Sequence, residues 1–175
     1  MISITPWIER SFQFDFSIGL FPVIFSRLEG TIFRLQNLTA NANEDYCSIT
    51  ENGWSVKQHI GHLTDLEEMW WRRLKDFEQN KPVLTAADMS NAKTKEANHN
   101  EKSLHEIMND FTSERKRILE FIYYFDEAML GKTSVHPRLN KAMRLIDSLY
   151  FVAEHDDHHL AFISNLLRQS KHNNT

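Results

Sequence analysis

The densest chemistry in this sequence is the run Glu154–His155–Asp156–Asp157–His158–His159, six ionisable side chains inside an otherwise apolar helical register. At about 100° per residue, the apolar centre of that helix falls near Leu145, Leu149 and Ile163. Asp156 lands almost on this centre, His159 lies roughly 50 to 60° to one side, His155 lies further round the same side, and His158 points well away. His155 and His159 are thus an i, i+4 pair flanking the core, the spacing at which two imidazoles of one helix reach one metal ion. A third ligand must come from another helix, and Gln58–His59–Ile60–Gly61–His62–Leu63 offers two. His59 falls near the apolar centre of its helix and His62 on the flank beside Leu66 and Met69, so the helical wheel leaves both open. A His pair on one helix is more often surface or partner-facing than metal-binding, but histidine's frequent use as a ligand keeps the metal reading in play.

Three neutral imidazoles would leave a coordination position free, which is the pattern of a catalytic rather than a structural site. With water in that position the chemistry is hydrolysis; with a thiol it is transfer of a stabilised thiolate. Hydrolysis calls for a carboxylate to take the water proton, and Asp156, Asp65 and Glu67 are the candidates. Asp156 also reads as an outer partner that orients a ligand imidazole, and Asp65 and Glu67 as helix-surface groups. His99 and Asn100, in a long polar loop, are candidate substrate contacts, whereas His105, His136, His158 and His172 read as structural or surface residues. Trp70–Trp71 and the Phe-rich first segment read as core or dimer surface.

Four helices would position these groups. The steps Val23, Ile24, Leu28, Ile32, Leu35 and Leu38 after Pro22 predict a helix over 20–38, with an extended aromatic lead-in over 1–16. A polar loop follows from Asn41 to Gly53. Ser55-x-x-Gln58 and Ser103-x-x-Glu106 are capping boxes that open helices running to about Phe77 and Phe125. Between these two, 81–100 is the longest interruption, with room for a short helix over 86–95. The last helix is expected from about Lys141 to Arg168, after breaks at Gly131 and His136–Pro137. Four amphipathic helices are enough to close an all-α four-helix bundle, with 1–175 as a single domain.

Composition fits that frame. The 175 residues are 41% hydrophobic, enough for one core, and 5 Gly with 4 Pro disfavour a turn-rich β protein. Twenty basic residues against 24 acidic give a net charge of −4, which argues against nucleic acid as a partner. The apolar stretch from Phe14 to Phe25 is short and interrupted by Asp15 and Pro22, so neither a membrane span nor a signal peptide is expected. The lone Cys47 has no partner for an internal disulfide, and a reducing, cytoplasmic location is the expectation.

Two motifs resemble the DinB-like (DinB/YfiT-like) family of metal-binding four-helix-bundle proteins. Trp54–Ser55–Val56–Lys57–Gln58–His59–Ile60–Gly61–His62–Leu63 is similar to that family's opening of the second helix, and His155–Asp156–Asp157–His158–His159 to the His-x-x-x-His of its last long helix. Gln58 stands where the family often has Glu, and His59 where it usually has an apolar residue. The resemblance covers about the whole chain. It implies an up-down-down-up bundle, frequent homodimers, and a divalent transition metal, zinc or nickel, held by His62, His155 and His159, with His59 and Asp156 as core or outer-shell groups. It implies a metal-dependent hydrolase acting on a small molecule; the alternatives are a thiol S-transferase using a low-molecular-weight thiol and a non-catalytic, stress-associated metal-binding protein.

Overall fold

The computed structural model describes residues 3–50 and 53–173, with side chains described through 169; His172, expected at the surface, lies outside the described side chains. Pro22 sits in the first turn of α1 (Phe21–Thr39), where its missing N–H costs nothing, and Ile24, Leu28, Ile32 and Leu35 line the buried face of that helix. Both capping boxes form. Ser55 Oγ accepts from the Gln58 amide at 3.1 Å and the Gln58 side chain accepts from the Ser55 amide at 3.0 Å, which starts α3 (Val56–Glu78). Ser103 and Glu106 do the same for α5 (Leu104–Ile122).

The polar loop after α1 carries a single helical turn, α2 (Glu44–Cys47), capped by Asn43 and burying the Cys47 thiol. The insert between α3 and α5 holds α4 (Ala92–Glu96), shorter than the 86–95 expectation because Asn91 before it is in the left-handed region at φ 55°. The short helix α6 (Glu127–Leu130) leads into the main departure from expectation. Lys141–Arg144 does not begin the last helix; it is a strand, β2, paired antiparallel with β1 (Thr133–His136). Lys-Ala-Met-Arg has good helical propensity, but its amides and carbonyls are claimed by the neighbouring strand, an instance of tertiary pairing overriding a weak local preference. Helix α7 therefore spans Leu145–Asn173, and Asp147 accepts from the Arg144 amide at 2.8 Å at its start.

Contacts between the long helices fix their directions. Lys57 of α3 reaches the carbonyl of Lys102 before α5, and Trp71 meets Phe121, so α3 and α5 run parallel. Arg27 reaches Glu154 and Arg34 reaches Asp157, so α1 and α7 run parallel too. The cross pairs are opposed: His59 meets His159 while Trp70 meets Phe151, and Phe25 meets Tyr123 while the Leu28 carbonyl meets Arg115. The order is up-down-down-up. Among the described residues, no helix is long and apolar enough to cross a membrane.

One glycine is demanded by packing. A Cβ at Gly61 would lie 2.3 Å from the His99 ring, and that ring is tethered through Nε2 to Asp65 Oδ2 at 2.8 Å. Glycine in mid-helix normally costs about 0.5–1 kcal/mol relative to alanine, so an unhindered Gly61→Ala would stabilise. Thermal melts are instead expected to show Gly61→Ala destabilised by about 1–3 kcal/mol from overpacking, and restored in the Gly61→Ala/His99→Ala double variant.

Candidate metal centre

The helix pair α3 and α7 brings three buried imidazoles to one point. His62, His155 and His159 each present a ring nitrogen within 4.8 Å of the other two. His155 Nε2 and His159 Nε2 are 3.2 Å apart, close to the separation of about 3.3 Å between two imidazole nitrogens that sit about 2.05 Å from one tetrahedral ion. The donor set and this spacing fit a divalent metal.

The remaining ring nitrogens orient two of the three rings. His62 Nδ1 lies 3.0 Å from Thr94 Oγ1, and the Thr94 hydroxyl donates onward to Asp65. The carboxylate thus leaves Thr94 as acceptor from His62 Nδ1–H, which turns the lone pair of Nε2 toward the cluster. His159 Nδ1 lies 2.8 Å from His59 Nδ1. One of these two nitrogens carries the proton, and a proton on His159 Nδ1 again frees Nε2 toward the cluster. His155 Nδ1 is buried without a hydrogen-bond partner.

Burial pushes His62 down to about 4 and His59 to about 3, and it takes His155 and His159 well below the ordinary histidine value. All four are neutral at neutral pH, the state in which an imidazole offers a lone pair. Burial also raises the Asp65 carboxyl, but hydrogen bonds from His99 and Thr94 more than reverse this and keep it ionised.

Trp54 covers the cluster, 4.6 Å from the His62 ring and stacked at 6.0 Å on that of His159. Trp7, in a 3-10 turn of the lead-in (Trp7–Glu9), stands edge-on to His155 at 4.9 Å. The triad opens into a cavity of about 490 Å³ walled mainly by Trp7, Leu66, Met69, Trp70, Met89 and Phe151, within the size range of small-molecule sites.

The other expected residues are placed as follows. Asp156 is fully buried in the bundle centre, where it accepts from Thr31 and from both terminal nitrogens of Arg115, and none of its hydrogen bonds goes to an imidazole. Glu67 shares Arg115 with it, and burial raises the Glu67 carboxyl against the pull of that guanidinium. His99 packs on Gly61 and holds Asp65, while Asn100 Oδ1 accepts from Ser55 Oγ at 2.6 Å; neither residue lines the cavity. His105 is exposed.

Two of the histidines read as structural or surface are buried beside the cavity. His158 lines the cavity because Trp7 folds over it, and His136 is buried in the cavity wall against Arg73. Thr94, Arg73 and Arg138 carried no signal in the sequence. Arg73 reaches the site from the far half of α3, Thr94 from the short α4 and Arg138 from the turn between the strands, none of them marked by the apolar periodicity.

The model of the DinB superfamily matches residues 27–163, which include all three clustered histidines. A solved structure of YfiT from Bacillus subtilis, described as a probable metal-dependent hydrolase with an unusual four-helix bundle topology, superposes with a TM-score of 0.76. The overlay covers 93% of this chain and 94% of that one at 18% identity, and it shows the shared fold. No curated protein matches this chain.

Proposed function

This chain belongs to the DinB superfamily, and from that premise we propose that it is a metal-dependent hydrolase of small molecules whose divalent ion is held by His62, His155 and His159. The observation that carries this reading is the convergence of three neutral ring nitrogens at the mouth of a largely apolar cavity. Such an ion supplies a Lewis acid with a free coordination position. The chain supplies the rest. Thr94 and His59 hold two of the ligand rings from behind, the Trp7, Trp54 and Trp70 rings exclude bulk water, and the apolar walls seat the body of a substrate.

One observation favours thiol transfer as the second reading. Asp88 is the one carboxylate in the cavity lining among the described residues, and it already accepts from the Ser90 amide and hydroxyl and the Ala92 amide. Hydrolysis wants a proton acceptor at the reacting centre, whereas an ion-stabilised thiolate needs none once formed. Of the metals that suit three imidazoles, zinc and nickel are proposed first.

Mass spectrometry of metal in tag-free protein, followed by ester, amide and thiol-conjugation panels with and without that metal, separates the readings. Near one equivalent of a divalent ion and turnover that depends on it support an enzyme. Hydrolysis without thiol supports the first reading, and conjugation alone supports the second. A metal-free protein after reconstitution removes both.

A further inference from the structure

The cavity wall at Arg73 and Arg138 carries charge that no carboxylate pairs with among the described residues. Arg73 is only 2% exposed, with its guanidinium over the Trp70 ring at 5.1 Å and its Nε–H donating to the Thr85 carbonyl at 2.9 Å. Its nearest acidic neighbour, Asp76, is taken by Lys81 and by the amide and hydroxyl of Thr85. Arg138 reaches the same wall over the Phe151 ring at 5.8 Å, and its Nη2 is buried without a partner. Among the described residues, no carboxylate forms an ion pair with either guanidinium.

His136 sharpens the imbalance. Both ring nitrogens of His136 face donors, Nδ1 the Leu139 amide at 3.2 Å and Nε2 the Arg73 guanidinium at 3.1 Å. Burial and the two arginines hold this imidazole down to about 3, so it is neutral. A neutral imidazole accepts at one nitrogen only, so one of these two donors is left without an acceptor whichever tautomer forms. Buried donors and an unpaired buried cation are costly, and the missing part is an acceptor with negative charge. Planar, forked guanidinium donors suit a carboxylate best.

We propose that Arg73, Arg138 and His136 form a seat for the carboxylate of an extended, amphipathic substrate whose apolar middle lies along Trp70 and Phe151 and whose reacting bond lies at His62, His155 and His159. The position of the reacting bond rests on the function proposed above; the seat does not. The Trp70 ring, 5.1 Å from the Arg73 guanidinium and 6.1 Å from the His155 ring, lies between the seat and the histidine cluster. The acid group therefore stands about one aromatic ring away from the bond that reacts, a spacing that aryl- or alkyl-linked acids match.

Phenylbutyrate and its neutral amide, titrated by calorimetry and by quenching of the cavity tryptophans, test the seat directly. Wild type, Arg73→Gln, Arg138→Gln and His62→Ala are compared, with metal content measured on each sample and folding checked by circular dichroism. The acid is expected to bind wild type about tenfold or more tighter than the amide. That preference is expected to collapse in both arginine variants and to survive in His62→Ala. Arg138 is half-buried and tests the seat without emptying the core position of Arg73.

Equal binding of acid and amide to wild type, or binding of neither, overturns the proposal. So does a preference that persists in the arginine variants and disappears in His62→Ala, because the acid group then sits at the histidines. Wild type without metal but with an arginine-dependent preference sinks the metal reading and leaves the seat standing.

Discussion

Replacement of His155 by alanine is expected to bring bound metal to background and to abolish metal-dependent turnover while leaving the helical content intact. Removing an outer partner of a ligand typically weakens metal affinity about 10–100-fold, and losing one of three ligands should exceed that. The His155 ring is almost fully buried, edge-on to Trp7 and Trp70, so the variant also opens a small cavity. Its own Nδ1 is unpartnered, however, so deleting it removes a buried polar group and offsets part of that loss. His59→Phe makes the informative contrast. His59 meets His159 through the Nδ1 atoms, behind the cluster, and so its loss should weaken metal binding about 10–100-fold without abolishing it. Equilibrium dialysis with metal quantification checks both. Wild-type stoichiometry and affinity in His155→Ala would show that the three rings do not share an ion.

The contrast between His59 and His62 also marks where the sequence stops being informative. The wheel places both near one face of α3, and which of them meets His155 depends on where α7 lies across that face, a tertiary quantity. The four helices themselves were legible because their signals are local: Pro22, two reciprocal capping boxes, and apolar residues at three- and four-residue steps. The hairpin was not, since Lys141–Arg144 becomes a strand only because Thr133–His136 runs beside it. Arg73, Arg138 and Thr94 were invisible for a related reason. A charged or hydroxyl residue at an ordinary position reads as solvated, and only the fold reveals that it faces a cavity or the back of an imidazole.

Arg115 is the extreme case of that blindness, and its loss should be the most destabilising single change in the core. It sits on α5, 1% exposed, and reaches all three other long helices: the Leu28 carbonyl of α1, Glu67 of α3 and Asp156 of α7, with Thr31 of α1 also donating to Asp156. The two carboxylates and burial act on the guanidinium in opposite senses; the carboxylates win and raise it, so it stays charged. Arg115→Leu would leave two buried carboxylates without their cation, a change expected to cost about 3–5 kcal/mol. Against a typical domain stability of about 5–15 kcal/mol, that is enough to unfold much of the population on mild heating. The triple variant Arg115→Leu/Glu67→Leu/Asp156→Leu is expected to recover most of the loss, because a well-packed apolar replacement of a buried ion network is often neutral. Urea unfolding of the three proteins tests this, and a single variant within about 1 kcal/mol of wild type would show that the network does not hold the bundle. Asp156 follows His155 directly and Glu67 lies on the helix that carries His62, so this network also fixes α3 against α7. A destabilised single variant that still folds in the cold should therefore bind metal more weakly than wild type, although Arg115 touches none of the three imidazoles.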